Sequence, residues 1–107
     1  MRDIILKYVK ALESEIEVDK AVLVGSYARG CARGGEEIDV LIVSPNFEGI
    51  SNGLHRKRLL TPKVAKVHTL LLPRGAYTPD EYNNRPKELR LTYYKRTGKV
   101  IYDKSRD

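Results

Sequence analysis

Cys31 has no cysteine partner in this 107-residue sequence, so no disulfide within the chain can hold it together; that agrees with a reducing compartment, Cys31 itself reading as a small loop residue. Long hydrophobic runs are missing too. The longest apolar stretches, Ala21–Val24, Val40–Val43 and Leu70–Leu72, fall far short of the roughly 20 residues of a spanning helix. The start of the chain has no apolar signal core, so a cytoplasmic location with no membrane association is expected. There is no internal repeat, low-complexity tract or interdomain linker. What is present, 41% apolar and 32% charged residues, is the composition of a folded domain, and residues 1–107 read as a single one.

The net charge of +6 is unevenly spread. Residues 1–50 carry 6 Lys/Arg against 9 Asp/Glu, a net of −3, and residues 51–107 carry 14 against 5, a net of +9. Such a basic half could draw in polyanions such as nucleotides or RNA, or be an ordinary solvated lysine-rich surface.

Apolar residues recur at three-to-four-residue spacing from Asp3 to Ile16, which predicts an amphipathic helix. Lys20–Val24 is a short β-branched run cut off by Gly25-Ser26, hence a buried strand feeding a turn. A short helix is expected to begin at Ser26, with Gly30 near its end. After the Arg33-Gly34-Gly35 connection, Glu37–Val43 predicts a second strand, stopped by Ser44-Pro45, whose apolar faces require cover on both sides. A short helix is expected near Ser51–Leu60. Val64–Leu72 reads as a third strand closed by Pro73-Arg74-Gly75. Thr78-Pro-Asp-Glu81 is a capping-box helix start. A helix divided at Pro86 should then continue over Lys87–Thr97, with Leu89 and Tyr93, and Arg90 or Tyr94, facing inward, until Gly98. Val100–Tyr102 makes a last strand. The order fits an α/β fold.

Two carboxylates, Glu37 and Asp39, lie two apart on a predicted strand, so they leave the same face with Cα atoms about 6–7 Å apart. Their hard oxygens suit Mg²⁺ or Mn²⁺. Leu41 and Val43 follow on that face, which places the pair at the entry end of a buried strand, where charge needs a compensating partner. Gly25 lets the backbone approach a ligand, and the Ser26 hydroxyl and the Arg29 guanidinium can reach phosphate oxygens. Taken one at a time, the acidic pair is a solvated surface, Gly-Ser a turn and Arg29 a surface charge.

Taken together, Gly25-Ser-Tyr-Ala-Arg-Gly30, Cys31-Ala-Arg-Gly-Gly35 and Glu36-Glu-Ile-Asp-Val-Leu-Ile-Val43 resemble the signature of the DNA polymerase β-like nucleotidyltransferases, and the small size resembles the minimal nucleotidyltransferases of prokaryotes. The resemblance implies a small mixed β-sheet packed with helices, the palm fold of that family. It implies transfer of a nucleoside monophosphate from an NTP, ATP first among them, to a protein or RNA acceptor. Gly25, Ser26 and Arg29 would hold the triphosphate, and Glu37 and Asp39 would be catalytic ligands of Mg²⁺ or Mn²⁺. A HEPN-domain partner in a toxin–antitoxin-like pair is also implied, and a homodimer is compatible with so small a domain.

The sequence departs from that pattern in three places. Glu37 replaces the first aspartate and Glu36 the usual serine before it. The third family carboxylate should fall near Val67–Leu70, where His68 stands; a strand histidine with no catalytic task is the plainer account of it than a metal ligand. The alternative function is therefore a degenerate module that binds nucleotide or a partner protein without turnover. Nucleic-acid binding through Arg56-Lys57-Arg58, Lys63, Lys66 and the Lys87–Lys99 segment ranks third.

Overall fold

A computed structural model of the chain describes residues 1–64, 66–84 and 88–106. The first helix, α1, spans Arg2–Leu12 and buries Ile5, Tyr8, Val9 and Leu12 along one stripe. Asp3 in its first turn and Lys10 in its last complement the helix dipole. It stops short of the expected Ile16, which is nevertheless buried in the turn that follows. The strands are β1 (Lys20–Val24) and β2 (Ile38–Val43), which pair antiparallel with Val24 opposite Asp39. Helix α2 (Gly53–Val64) leads to β3 (Leu71–Tyr77), which runs parallel to β2. Helices α3 (Pro79–Asn84) and α4 (Leu89–Thr97) precede β4 (Lys99–Asp103), which pairs antiparallel with β1. The four-stranded sheet has the order β3-β2-β1-β4 and is mixed, as expected.

Because side chains alternate along a strand, β2 feeds two cores. Ile38, Val40 and Ile42 join Ala21 and Leu23 beneath residues of α1 and α2. Leu41 and Val43 join Val22, Val24, Tyr77, Tyr82 and Leu91 on the α3–α4 side. Each fully buried Ile or Leu contributes about 1.5–3 kcal/mol through lost water contact, so the central position of β2 follows from the unbroken apolar run Val40–Val43. Asp39 has the parity of Leu41 and Val43 and so points to the α3–α4 face.

A second anchor is polar. The Thr78 hydroxyl accepts from the Glu81 amide at 3.1 Å while the Glu81 carboxylate accepts from the Thr78 amide at 2.9 Å, the reciprocal capping box read from the sequence. Glu81 also takes both guanidinium nitrogens of Arg56, at 2.5 and 3.2 Å, and Arg56 donates to the Ala76 carbonyl at 3.1 Å. Arg56 thereby joins α2, β3 and α3. It is buried, so it is no part of a basic surface made with Lys57 and Arg58.

Four expectations need correction. Residues Ser26–Gly30 form a turn rather than a helix, with the Arg29 amide bonded to the Gly25 carbonyl at 3.1 Å and the Cys31 amide to the Ser26 carbonyl at 3.0 Å. The helix expected over Ser51–Leu60 is real but runs Gly53–Val64. The third strand is Leu71–Tyr77, not Val64–Leu72: Pro73-Arg74-Gly75, expected to end it, lies inside it. Pro73 is tolerated because β3 is an edge strand, where a missing N–H breaks no ladder. In α4 it is Leu91 that is buried, while Leu89 is 85% exposed; the expected division at Pro86 lies outside the described residues. No helix among the described residues is long and apolar enough to cross a membrane.

Candidate functional site

The strand ends of β1 and β2 meet at Gly25 and Asp39. Gly25 has φ +77°, a conformation open to glycine, and a methyl group there would come within 2.5 Å of Asp39 Oδ2. Glycine is thus required twice, by the backbone and by the carboxylate pressed against it. Glu37 sits just before β2 and is exposed, while the Asp39 side chain is only 16% exposed. The sequence-predicted pair and the Gly25-Ser26 turn are therefore in one place.

Two charged side chains also occupy this place. The Ser26 hydroxyl donates to Glu36 Oε2 at 2.5 Å, and the Arg33 amide donates to Glu36 Oε1 at 2.9 Å. These two bonds, with help from the charge of Arg29, hold the Glu36 carboxyl below the usual carboxylate range. From the other side comes Arg74, whose Nε lies 3.2 Å from Asp39 Oδ1 and whose Nη2 lies 3.9 Å from Glu37 Oε1. Pairing in the β2–β3 ladder passes from Val40–Pro73 to Leu41–Gly75, leaving Arg74 as the extra residue of a bulge. Bulges re-aim a side chain, and this one aims a guanidinium at both carboxylates. Arg29 is exposed on the turn, its charge favoured first by a hydrogen bond to Cys31 and then by Tyr93 of α4. Arg74 also lines a cleft of about 770 Å³ between β3, α2 and α3, together with Lys57, Tyr77 and Leu91.

A family model described as nucleotidyltransferase domain matches residues 2–101. The chain belongs to the nucleotidyltransferase domain family. The crystal structure of a Sulfolobus solfataricus protein with a provisional nucleotidyltransferase assignment matches with a TM-score of 0.72 at 14% identity, over 98% of this chain and 82% of that one. That likeness is one of fold. No curated protein matches the chain.

In this nucleotidyltransferase domain no acidic side chain comes from the strand beside β2. Strand β3 reads Leu-Leu-Pro-Arg-Gly-Ala-Tyr and contains no carboxylate; Leu72 lies opposite Asp39, and Arg74 reaches it. His68 is not on the strand. It lies in the turn before β3, where its Nδ1 accepts from the Leu70 amide at 3.1 Å, a local structural bond. Among the described residues no group of three His, Cys, Asp or Glu is placed to hold a metal. Glu37 and Asp39 offer the one or two carboxylates that Mg²⁺ or Mn²⁺ takes along with water and phosphate oxygens, but the Arg74 guanidinium lies against both and competes with a cation for them.

Sequence reasoning missed Arg74 because it ended β3 too early. The signal was available: a capping box at Thr78 begins a helix, so the residues just ahead of it belong to the strand that feeds it.

Proposed function

We propose that this nucleotidyltransferase domain binds a nucleoside triphosphate, ATP first among candidates, without two-metal turnover. It would work as a nucleotide-binding module toward a partner, either a HEPN-domain protein or a second copy of the chain. Gly25, Ser26 and Arg29 would receive the phosphates, and the cleft beside Arg74 has room for the nucleoside. The observation that carries this reading is the Arg74 contact with Asp39 and Glu37, a cation built into the chain where the family's chemistry calls for a metal and a third carboxylate. Calorimetric titration of ATP, CTP and GTP tests it, with Mg²⁺, with Mn²⁺ and with chelator. Binding of one nucleotide is expected to persist in chelator, with no labelled nucleotide passed to a protein or RNA acceptor. Binding that needs metal and vanishes in Asp39→Ala would overturn it.

The second reading is metal-dependent transfer of a nucleoside monophosphate to a protein or RNA acceptor, with Glu37 and Asp39 as catalytic ligands. It is favoured by the close approach of Gly25 to Asp39, which keeps the turn and the carboxylate in the relation that transfer would use.

A further inference from the structure

We infer that Glu36 is a resident occupant of the phosphate cradle, and that any phosphate ligand of this domain must displace it. The inference rests on the reading of Gly25-Ser26 as the phosphate-binding turn and adds the residue that sets its affinity.

A phosphate arriving at this turn would look for a hydroxyl, a backbone amide and a guanidinium. The Ser26 hydroxyl already donates to one oxygen of Glu36, at 2.5 Å, and the Arg33 amide to the other, at 2.9 Å. Arg29 supplies the third element, a favourable charge acting on the same carboxylate. Each oxygen of Glu36 therefore has a donor, and the carboxylate presents to this loop the charge and the acceptor pair that a phosphate edge would present.

The position of Glu36 makes the arrangement close on itself. Its neighbour Glu37 faces Arg74 while Glu36 turns back to the loop, so consecutive acids serve opposite ends of the site. The loop they close, from Ser26 to Glu36, contains Gly30, Gly34 and Gly35, all with positive φ and with nothing within 4 Å of an added methyl group. Glycines in open space are not there for close packing; they give the loop backbone its left-handed turns. Among the described residues, displacing Glu36 breaks its two hydrogen bonds and its attraction to Arg29, and it leaves the core untouched, because Glu36 is not among the buried residues.

The test is calorimetric titration of the full chain with inorganic triphosphate and with ATP, in chelator, for wild type, Glu36→Gln and Glu36→Ala. Gln keeps the shape and loses the charge; Ala also frees both donors. Both variants are expected to bind at least about tenfold more tightly than wild type, with Ala the tighter, and Ser26→Ala added to Glu36→Ala should return part of the gain. Equal, measurable affinities for wild type and Glu36→Ala would overturn the role of Glu36 while leaving the turn as a phosphate site. Absence of binding in wild type and in both variants would overturn the phosphate reading of Gly25-Ser26 and this inference with it.

Discussion

At Arg74 an extra residue in β3, Asp39 on β2 and Glu37 just ahead of it fix one side chain. The guanidinium is 45% exposed and its pairing with Asp39 is near the surface, so the contact adds about 1 kcal/mol or less to folding. Its weight lies in ligand choice rather than stability, because a cation already present competes with one from solution. Arg74→Glu would place a third carboxylate beside Glu37 and Asp39. Its affinity for Mn²⁺ in the absence of nucleotide, followed by electron paramagnetic resonance of the free ion, is expected to exceed wild type by about tenfold or more. Equal affinities would show that Arg74 is not what keeps a divalent cation away. The neighbouring Tyr77 shows a different use of charge: its hydroxyl donates to Glu88 at 2.9 Å, and burial pushes the phenol up, so it stays neutral and ties β3 to the segment before α4.

Among the elements, β3 is held from outside by Arg56 and Glu81 as well as by its ladder with β2. Removing Glu81 leaves the buried Arg56 guanidinium with carbonyl partners but no counter-charge, and opens the α3 capping box at once. Glu81→Ala is expected to cost about 2–3 kcal/mol, seen as a fall in Tm of roughly 10 °C; an unchanged Tm would mean the pair carries no stability. The helix start at Thr78 was readable in the sequence because a capping box is a local pattern, closed by residues three apart. The identity and faces of β2 were readable for the same reason, since alternation is local. What could not be read locally was the neighbour across the sheet. Pro73 signals a strand end unless the strand is known to be an edge, and Arg74 signals a turn unless the Val40–Leu41 bulge is known. Leu89 and Leu91 differ by two positions on α4, and which is buried depends on how the helix rests against Tyr77 and Val22. Of the site, Gly25, Ser26, Glu37 and Asp39 were legible as residues, whereas the engagement of Ser26 by Glu36 and of Asp39 by Arg74 required the fold.

Over the whole molecule, the titrating groups bracket a stability window. Burial raises the Glu81 carboxyl, but the hydrogen bonds from Arg56 and Thr78 outweigh it and hold it below the ordinary glutamate value of 4.5. Glu36 and Asp103 are also held low, Asp103 first by the Ser105 hydroxyl. A carboxylate depressed in the folded state contributes stability that is present above its unfolded value and lost as pH falls through its folded one. Urea midpoints are therefore expected to hold from neutral pH down to about 5 and to drop through pH 4, with the drop reduced in Glu81→Gln; an identical acid profile in that variant would contradict the assignment. At the other extreme, burial raises the phenols of Tyr8, Tyr77 and Tyr82, so stability from keeping them neutral persists up to their unfolded value of 10 and fades above it. Strand order carries a further consequence, in time rather than energy. Lys20 pairs with Asp103, so β1 stands between β2 and a strand that is synthesised after the other three. Until β4 arrives, one edge of Ala21–Val24 has no partner, and the sheet closes by a pairing distant in sequence. Such contact order slows folding, and a nascent chain held before residue 99 exposes an apolar edge to other chains.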